Sequence, residues 1–176
     1  MKTIALDDFI AHQDFYIKEA AAKKIFVYPT DTVYWIWAIY TQENVENVFA
    51  IKQRDSKKMF SIIAPTFEWI QNNYQWSITN DELQKYLDTY HGVTYIFDYT
   101  KPGVRIIKHP IQKFVEKLWA PFITTSCNIA GEPVIVEIKD IPEDIKNKVD
   151  YIIDGGTLWG KASVLIDFVA DKVIIR

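Results

Sequence analysis

The sequence predicts an α/β (α+β) fold, a twisted open mixed sheet with flanking helices, on three observations. Short apolar runs rich in β-branched and aromatic residues alternate with stretches of helical periodicity from one end to the other. Helix-start chemistry stands at the expected offsets between them. No repeat, low-complexity tract or Gly/Ser-rich linker interrupts the 176 residues, so one domain over residues 1–176 is expected.

The elements follow in order. Residues 8–24 carry Phe9, Ile10, Tyr16, Ile17, Ala20 and Ala21 at helical spacing, with Lys23 and Lys24 at the end where the helix dipole favours cations. Ile25-Phe26-Val27-Tyr28 is an apolar run closed by Pro29, the mark of a buried strand. Thr41 caps a helix bearing Val45, Val48, Phe49 and Lys52, and residues 59–64 form a strand. Thr79 and Glu82 make a capping box ahead of Leu83, Tyr86, Leu87 and Tyr90. Strands are expected at 93–97 and 103–107. Pro110 opens a helix as its first residue, with Ile111, Phe114, Val115 and Leu118 inward. Further strands are expected at 121–125, 150–154, 162–168 and 172–175. Segment 132–148, with two prolines and many charges, reads as a surface excursion.

Composition narrows the function. The net charge is −3 and the pI about 5.6, which disfavours a nonspecific grip on long nucleic acid but leaves room for a local basic pocket. One cysteine, Cys127, permits neither an internal disulfide framework nor a cysteine-rich metal site. No apolar run approaches the ~20 residues of a membrane span. The N-terminus carries Asp7 and Asp8 where a signal peptide would be apolar, so a cytoplasmic protein is expected.

Three segments exceed a generic α/β pattern. Tyr28-Pro29-Thr30-Asp31-Thr32-Val33-Tyr34 puts hydroxyls directly after a buried strand, where open sheets bind ligands, although Pro, Thr and Asp also make plain turns. Lys52-Gln53-Arg54-Asp55-Ser56-Lys57-Lys58-Met59-Phe60-Ser61 offers a mobile point charge and a planar fork for a phosphate chain, or else an exposed basic turn. Thr124-Thr125-Ser126-Cys127-Asn128-Ile129-Ala130-Gly131-Glu132-Pro133 brings hydroxyls, a carboxamide and backbone N–H groups together after a strand, in the manner of an anion-binding nest. No base stands near Cys127 in sequence, and it reads as a small packing residue. The spacing of His12, His91 and His109 gives no metal site.

Together these segments resemble the YrdC-like family. The string YPTDTVY, the spaced Lys52, Arg54, Lys58 and Ser61, and TTSCNIAGEPV occur in the family's order, with Cys127 where alanine is usual. Gly103-Val104-Arg105 with His109-Pro110, and Ser163-Val164-Leu165-Ile166-Asp167 with Arg176, resemble two further family segments, so that the likeness spans residues 3–176. The resemblance implies a short, single-domain threonylcarbamoyl-adenylate synthase with its sheet around a concave cavity. Threonine's amine would take up bicarbonate, and the resulting carboxylate would attack the α-phosphorus of ATP and expel pyrophosphate. Downstream tRNA-modification proteins would receive the product, with tRNA reached indirectly.

The resemblance also implies roles. Lys52 and Arg54 would be catalytic, holding phosphates with Lys58; Ser126, Asn128 and Arg176 would bind the nucleotide. Thr32, Arg105, Thr124 and Ser163 would position threonine. Magnesium would arrive with the triphosphate, and no protein-only metal site is expected; Asp31, Asp55 and Asp167 read as turn or strand residues. Two other readings stay open: a related enzyme making a carbamoyl- or other acyl-adenylate, and a catalytically silent nucleotide- or RNA-binding relative. The chain departs from the family's YPTDTVYGLG at one place, where Trp35 and Trp37 replace the two glycines. On an extended strand the two indoles share a face, either lining the pocket or packing beneath the helix at 42–52.

Overall fold

The computed structural model describes residues 1–30, 32–53, 60–90, 92–160 and 164–174. Its frame is a ten-stranded mixed sheet: β1 (Lys2–Ala5), β2 (Phe26–Pro29), β3 (Tyr34–Ile39), β4 (Ser61–Ile63), β5 (Val93–Ile96), β6 (Gly103–Arg105), β7 (Phe122–Ser126), β8 (Tyr151–Asp154), β9 (Val164–Asp167) and β10 (Lys172–Ile174). Across the sheet they run β1-β8-β2-β3-β7-β4-β6-β5-β9-β10. The pairs β1–β8, β8–β2, β4–β6 and β5–β9 are parallel, and the others antiparallel.

The helices are α1 (Leu6–Ala11), α2 (Gln13–Ala21), α3 (Gln42–Lys52), α4 (Phe67–Asn73), α5 (Asn80–Thr89), α6 (Ile111–Leu118) and α7 (Glu143–Lys146). Their starts follow the cap chemistry. Thr41 accepts from the Asn44 N–H, Thr66 from that of Trp69, and Thr79 and Glu82 complete a reciprocal capping box. Pro110 has helical torsions one residue ahead of α6.

One face of the sheet carries two apolar clusters. Tyr34, Ile36, Ala38, Ile123 and Cys127 pack with Val48 and Ile51 of α3, while Ile62, Val104, Tyr95 and Ile166 pack with Ile70, Leu83 and Leu87 of α4 and α5. The opposite face holds an aromatic cluster, with Phe26, Tyr28, Trp37 and Phe122 against Phe9, Tyr16 and Phe114 of α1, α2 and α6. Burying these apolar side chains on both faces stabilises the fold.

Several expectations change. The segment expected as one helix over 8–24 is two, broken at His12, whose ring Nδ1 lies 3.0 Å from the Asp8 carbonyl oxygen. Strands β1 and β3 and helix α4 were not expected. Lys2–Ala5 is mostly exposed, so no apolar alternation announces it; its order comes from parallel pairing with β8. Residues 34–39 are buried on both faces, which erases the period-two signal. Segment 132–148 is mostly exposed, as expected of a surface excursion, but Ile135, Ile141 and Ile145 anchor it in the α3-side cluster.

Candidate active site

Strand register brings the polar segments together. Trp35 lies opposite Ser126 and Trp37 opposite Thr124; across β7, Thr124 faces Ser61, and Ile63 faces Arg105 across β6. Partnered residues project to the same side, so Trp35, Trp37, Thr124, Ser126, Ser61 and Arg105 share one sheet face. It is the face of the aromatic cluster, continued past Trp37 into polar residues. At the β8 end, a Cβ on Gly155 would come within 2.7 Å of Pro29, which explains a glycine beside the turn that leads to Thr32.

That turn is a hydroxyl relay. Thr30 Oγ1 donates to the Val33 carbonyl at 2.9 Å and lies 3.0 Å from Thr32 Oγ1. With its proton committed, Thr30 accepts from the Thr32 hydroxyl and from the Thr32 N–H at 3.2 Å. Thr32 Oγ1 in turn accepts from Trp35 Nε1 at 3.2 Å. The same indole carries the Arg105 guanidinium, its carbon 4.5 Å from the ring centroid. The Thr32 carbonyl receives the Gly160 N–H at 3.0 Å, which ties the segment after β8 to this turn.

The second half of the site is built on the segment after β7. Lys52, at the end of α3, is 3% exposed. Its ammonium donates to the Ser126 carbonyl at 2.5 Å, the Asn128 carbonyl at 2.7 Å and Asn128 Oδ1 at 3.1 Å. Ser126 Oγ donates to the same Oδ1 at 2.6 Å, and Asn128 Nδ2 donates to the Glu132 carbonyl at 2.5 Å. Gly131 closes the turn at φ +93°, open to glycine and unfavourable for other residues. Cys127 points the other way. Its N–H donates to the Tyr34 carbonyl, its side chain is buried in the α3-side cluster, and burial pushes its thiol up to about 12.

The ten candidate residues therefore divide. Lys52, Ser126 and Asn128 form one hydrogen-bonded group. Thr32 and Arg105 are joined through Trp35, and Thr124 lies beside them on the same face. Arg54, Lys58, Ser163 and Arg176 lie outside the described residues. Lys52 is not on an exposed turn, as its sequence neighbourhood suggested, because α3 aims it beneath β7. Sequence reasoning missed two features: the joining of Thr32 to Arg105 by Trp35, and the Gly160 tether. The first was signalled by tryptophan in place of glycine; the second is a backbone contact without a side-chain signal. Among the described residues, no three His, Cys, Asp or Glu side chains converge to hold a metal ion, and no helix is long and apolar enough to cross a membrane.

Known proteins give these features a context. Residues 19–176 match the Sua5/YciO/YrdC family model, whose description reads "Telomere recombination". A Methanocaldococcus jannaschii protein named "Putative threonylcarbamoyl-AMP synthase" is 32% identical, over 92% of this chain and 82% of its own length. A Coxiella burnetii threonylcarbamoyl-AMP synthase is 26% identical, over 85% and 88%. Among solved structures, Escherichia coli YciO superposes with a TM-score of 0.80 at 19% identity, covering 99% of this chain and 93% of that one. Pyrococcus abyssi Sua5 in complex with L-threonine superposes at 0.79 and 22% identity, and the chain covers only 56% of that protein. With a family model matched over most of its length and a relative above 30% identity, the chain belongs to the Sua5/YciO/YrdC family.

Proposed function

We propose that this protein is a threonylcarbamoyl-AMP synthase, a nucleotidyltransferase that makes threonylcarbamoyl-AMP and pyrophosphate from L-threonine, bicarbonate and ATP for tRNA modification. The observation that carries the reading is the joining of two polar groups on one sheet face. Lys52–Ser126–Asn128 lies at the end of β7, and Thr32, Arg105 and Thr124 lie next to it. The relatives named for this activity support it across most of the chain.

The residues divide the work as the reaction requires. Adenylation asks the protein for charge and alignment more than for covalent chemistry. Lys52 sets a cation beneath the segment that presents Ser126 and Asn128, holding that segment in one shape for the nucleotide. Arg54, Lys58 and Arg176 would add charge along the phosphates and at the far side of the nucleotide. Arg105 would pair with the amino acid's carboxylate as a planar fork, with Thr32, Thr124 and Ser163 around it. A carboxylate oxygen of the N-carboxylated amino acid then attacks the α-phosphorus, and the bond to pyrophosphate breaks. Magnesium would be carried by the triphosphate, and the product would pass to proteins that load it on tRNA; we place this chemistry in the cytoplasm, in a single domain.

The test is pyrophosphate release from ATP and bicarbonate, run across the amino acids. Release that requires both threonine and bicarbonate is expected. Release that is indifferent to the amino acid would move the protein to carbamoyl- or other acyl-adenylate chemistry.

A further inference from the structure

Trp35 occupies the middle of the amino-acid half of the site. Thr32 is 7% exposed, Arg105 1% and Thr124 2%, and the indole that touches the first two is itself only 8% exposed. Its N–H takes the Thr32 hydroxyl oxygen at 3.2 Å, and its ring lies under the Arg105 guanidinium at 4.5 Å. Trp35 also faces Ser126 across β3 and β7, so it stands between the amino-acid group and the nucleotide group. An amino acid needs an acceptor-and-donor hydroxyl and a planar cation for its polar ends. Here both meet the same indole, and both are almost fully buried.

On the reading of this site as a threonine site, we propose that Trp35 is a gate that competes with the amino acid for Thr32 and Arg105. The amino-acid substrate enters only as the indole rotates out, and the contacts Trp35 makes set how tightly threonine binds. The competition acts on one substrate alone, since the Lys52–Ser126–Asn128 group has no bond to the indole among those described. The cost of opening appears in threonine affinity, because the binding-competent state is only part of the population. It amounts to roughly tenfold to a few hundredfold, the range to which one cation–π contact and one neutral hydrogen bond convert.

The experiment measures threonine and ATP affinity, with steady-state pyrophosphate release, for the wild type, Trp35→Ala and Trp35→Phe. Trp35→Ala should tighten threonine binding by about tenfold or more and leave the KM for ATP unchanged. Trp35→Phe keeps a ring near Arg105 but cannot donate to Thr32, so it should fall between. Threonine should also shift the tryptophan emission of the wild type to longer wavelength as the indole becomes wet, and this shift should vanish in Trp35→Phe. Should the alanine variant fail to fold, the phenylalanine variant and the emission shift decide. Unchanged or weaker threonine binding in a folded Trp35→Ala, or an emission shift that persists in Trp35→Phe, makes Trp35 a fixed wall and overturns the gate alone. Threonine binding in none of the three proteins while ATP still binds would overturn the threonine reading and the gate with it.

Discussion

Trp35 and Trp37 stand two residues apart on one face of β3, and the two ends of that face treat them differently. Trp37 is packed by carbon. It stacks on Phe122 at 4.2 Å and 16°, meets Phe114 at 4.8 Å edge-on and Phe26 at 5.2 Å, and its Nε1 is buried without a hydrogen-bond partner. Trp35 is held by polar groups, with its Nε1 on Thr32 and its ring under Arg105. The same side chain thus serves as filler at one end and as the partner of functional groups at the other. Neither indole packs beneath α3, whose cluster lies on the opposite face. Of the two tryptophans, one is core and the other lies among the candidate site residues.

The largest expected effect falls on the filler end. Trp37→Ala should cost about 3–5 kcal/mol and lower Tm by roughly 10 °C, because ring contacts and cavity are lost together. Trp37→Phe should recover most of that loss, since it keeps a ring and removes an unsatisfied N–H. Thermal unfolding decides, and a Trp37→Ala protein as stable as the wild type would abolish the distinction between the two ends.

A smaller loss of stability, with a larger effect on function, is expected at Lys52. Lys52→Met keeps the buried stem but leaves the Ser126 and Asn128 carbonyls and the Asn128 carboxamide without the ammonium. A destabilisation of about 2–3 kcal/mol is expected, at the level of unsatisfied buried acceptors, together with loss of ATP binding by calorimetry. Full ATP affinity in this variant would remove Lys52 from the site.

The smallest effect belongs to the back of the strand pair. Cys127→Ala should cost about 1–2 kcal/mol for its small cavity and retain turnover, because the thiol faces the α3-side core. The thiol should resist alkylation at neutral pH in the folded protein. Burial raises its pKa from 9.0 to about 12 and that of Tyr34 from 10.0 to about 12. Both groups keep their protons longer in the folded state, so their stabilisation is complete below pH ~9 and is lost as pH rises from about 9 to 12. Cys127→Ala should therefore flatten the start of alkaline unfolding; an unchanged profile would show that the thiol does not contribute.

The mixed α/β architecture, the cap residues of α3 and α5, and the polar segments at 28–34 and 124–131 could all be read from local sequence. Each depends on a few neighbouring residues: a hydroxyl three positions before a glutamate, or hydroxyls directly after an apolar run. The sequence also determined that Trp35 and Trp37 share a face, since alternation follows from any extended backbone. Tertiary structure alone decided what lies against that face. Thr32 is only three residues from Trp35, but Arg105 and Ser126 meet it through the pairing of β3 with β7, of β7 with β4 and of β4 with β6, contacts that span most of the chain and leave no periodic trace in it. The same holds for Lys52, which in sequence ends a helix beside other cations. Only the packing of α3 against β7 buries its ammonium, because a charge leaves water where several oxygen acceptors have already been gathered to receive it.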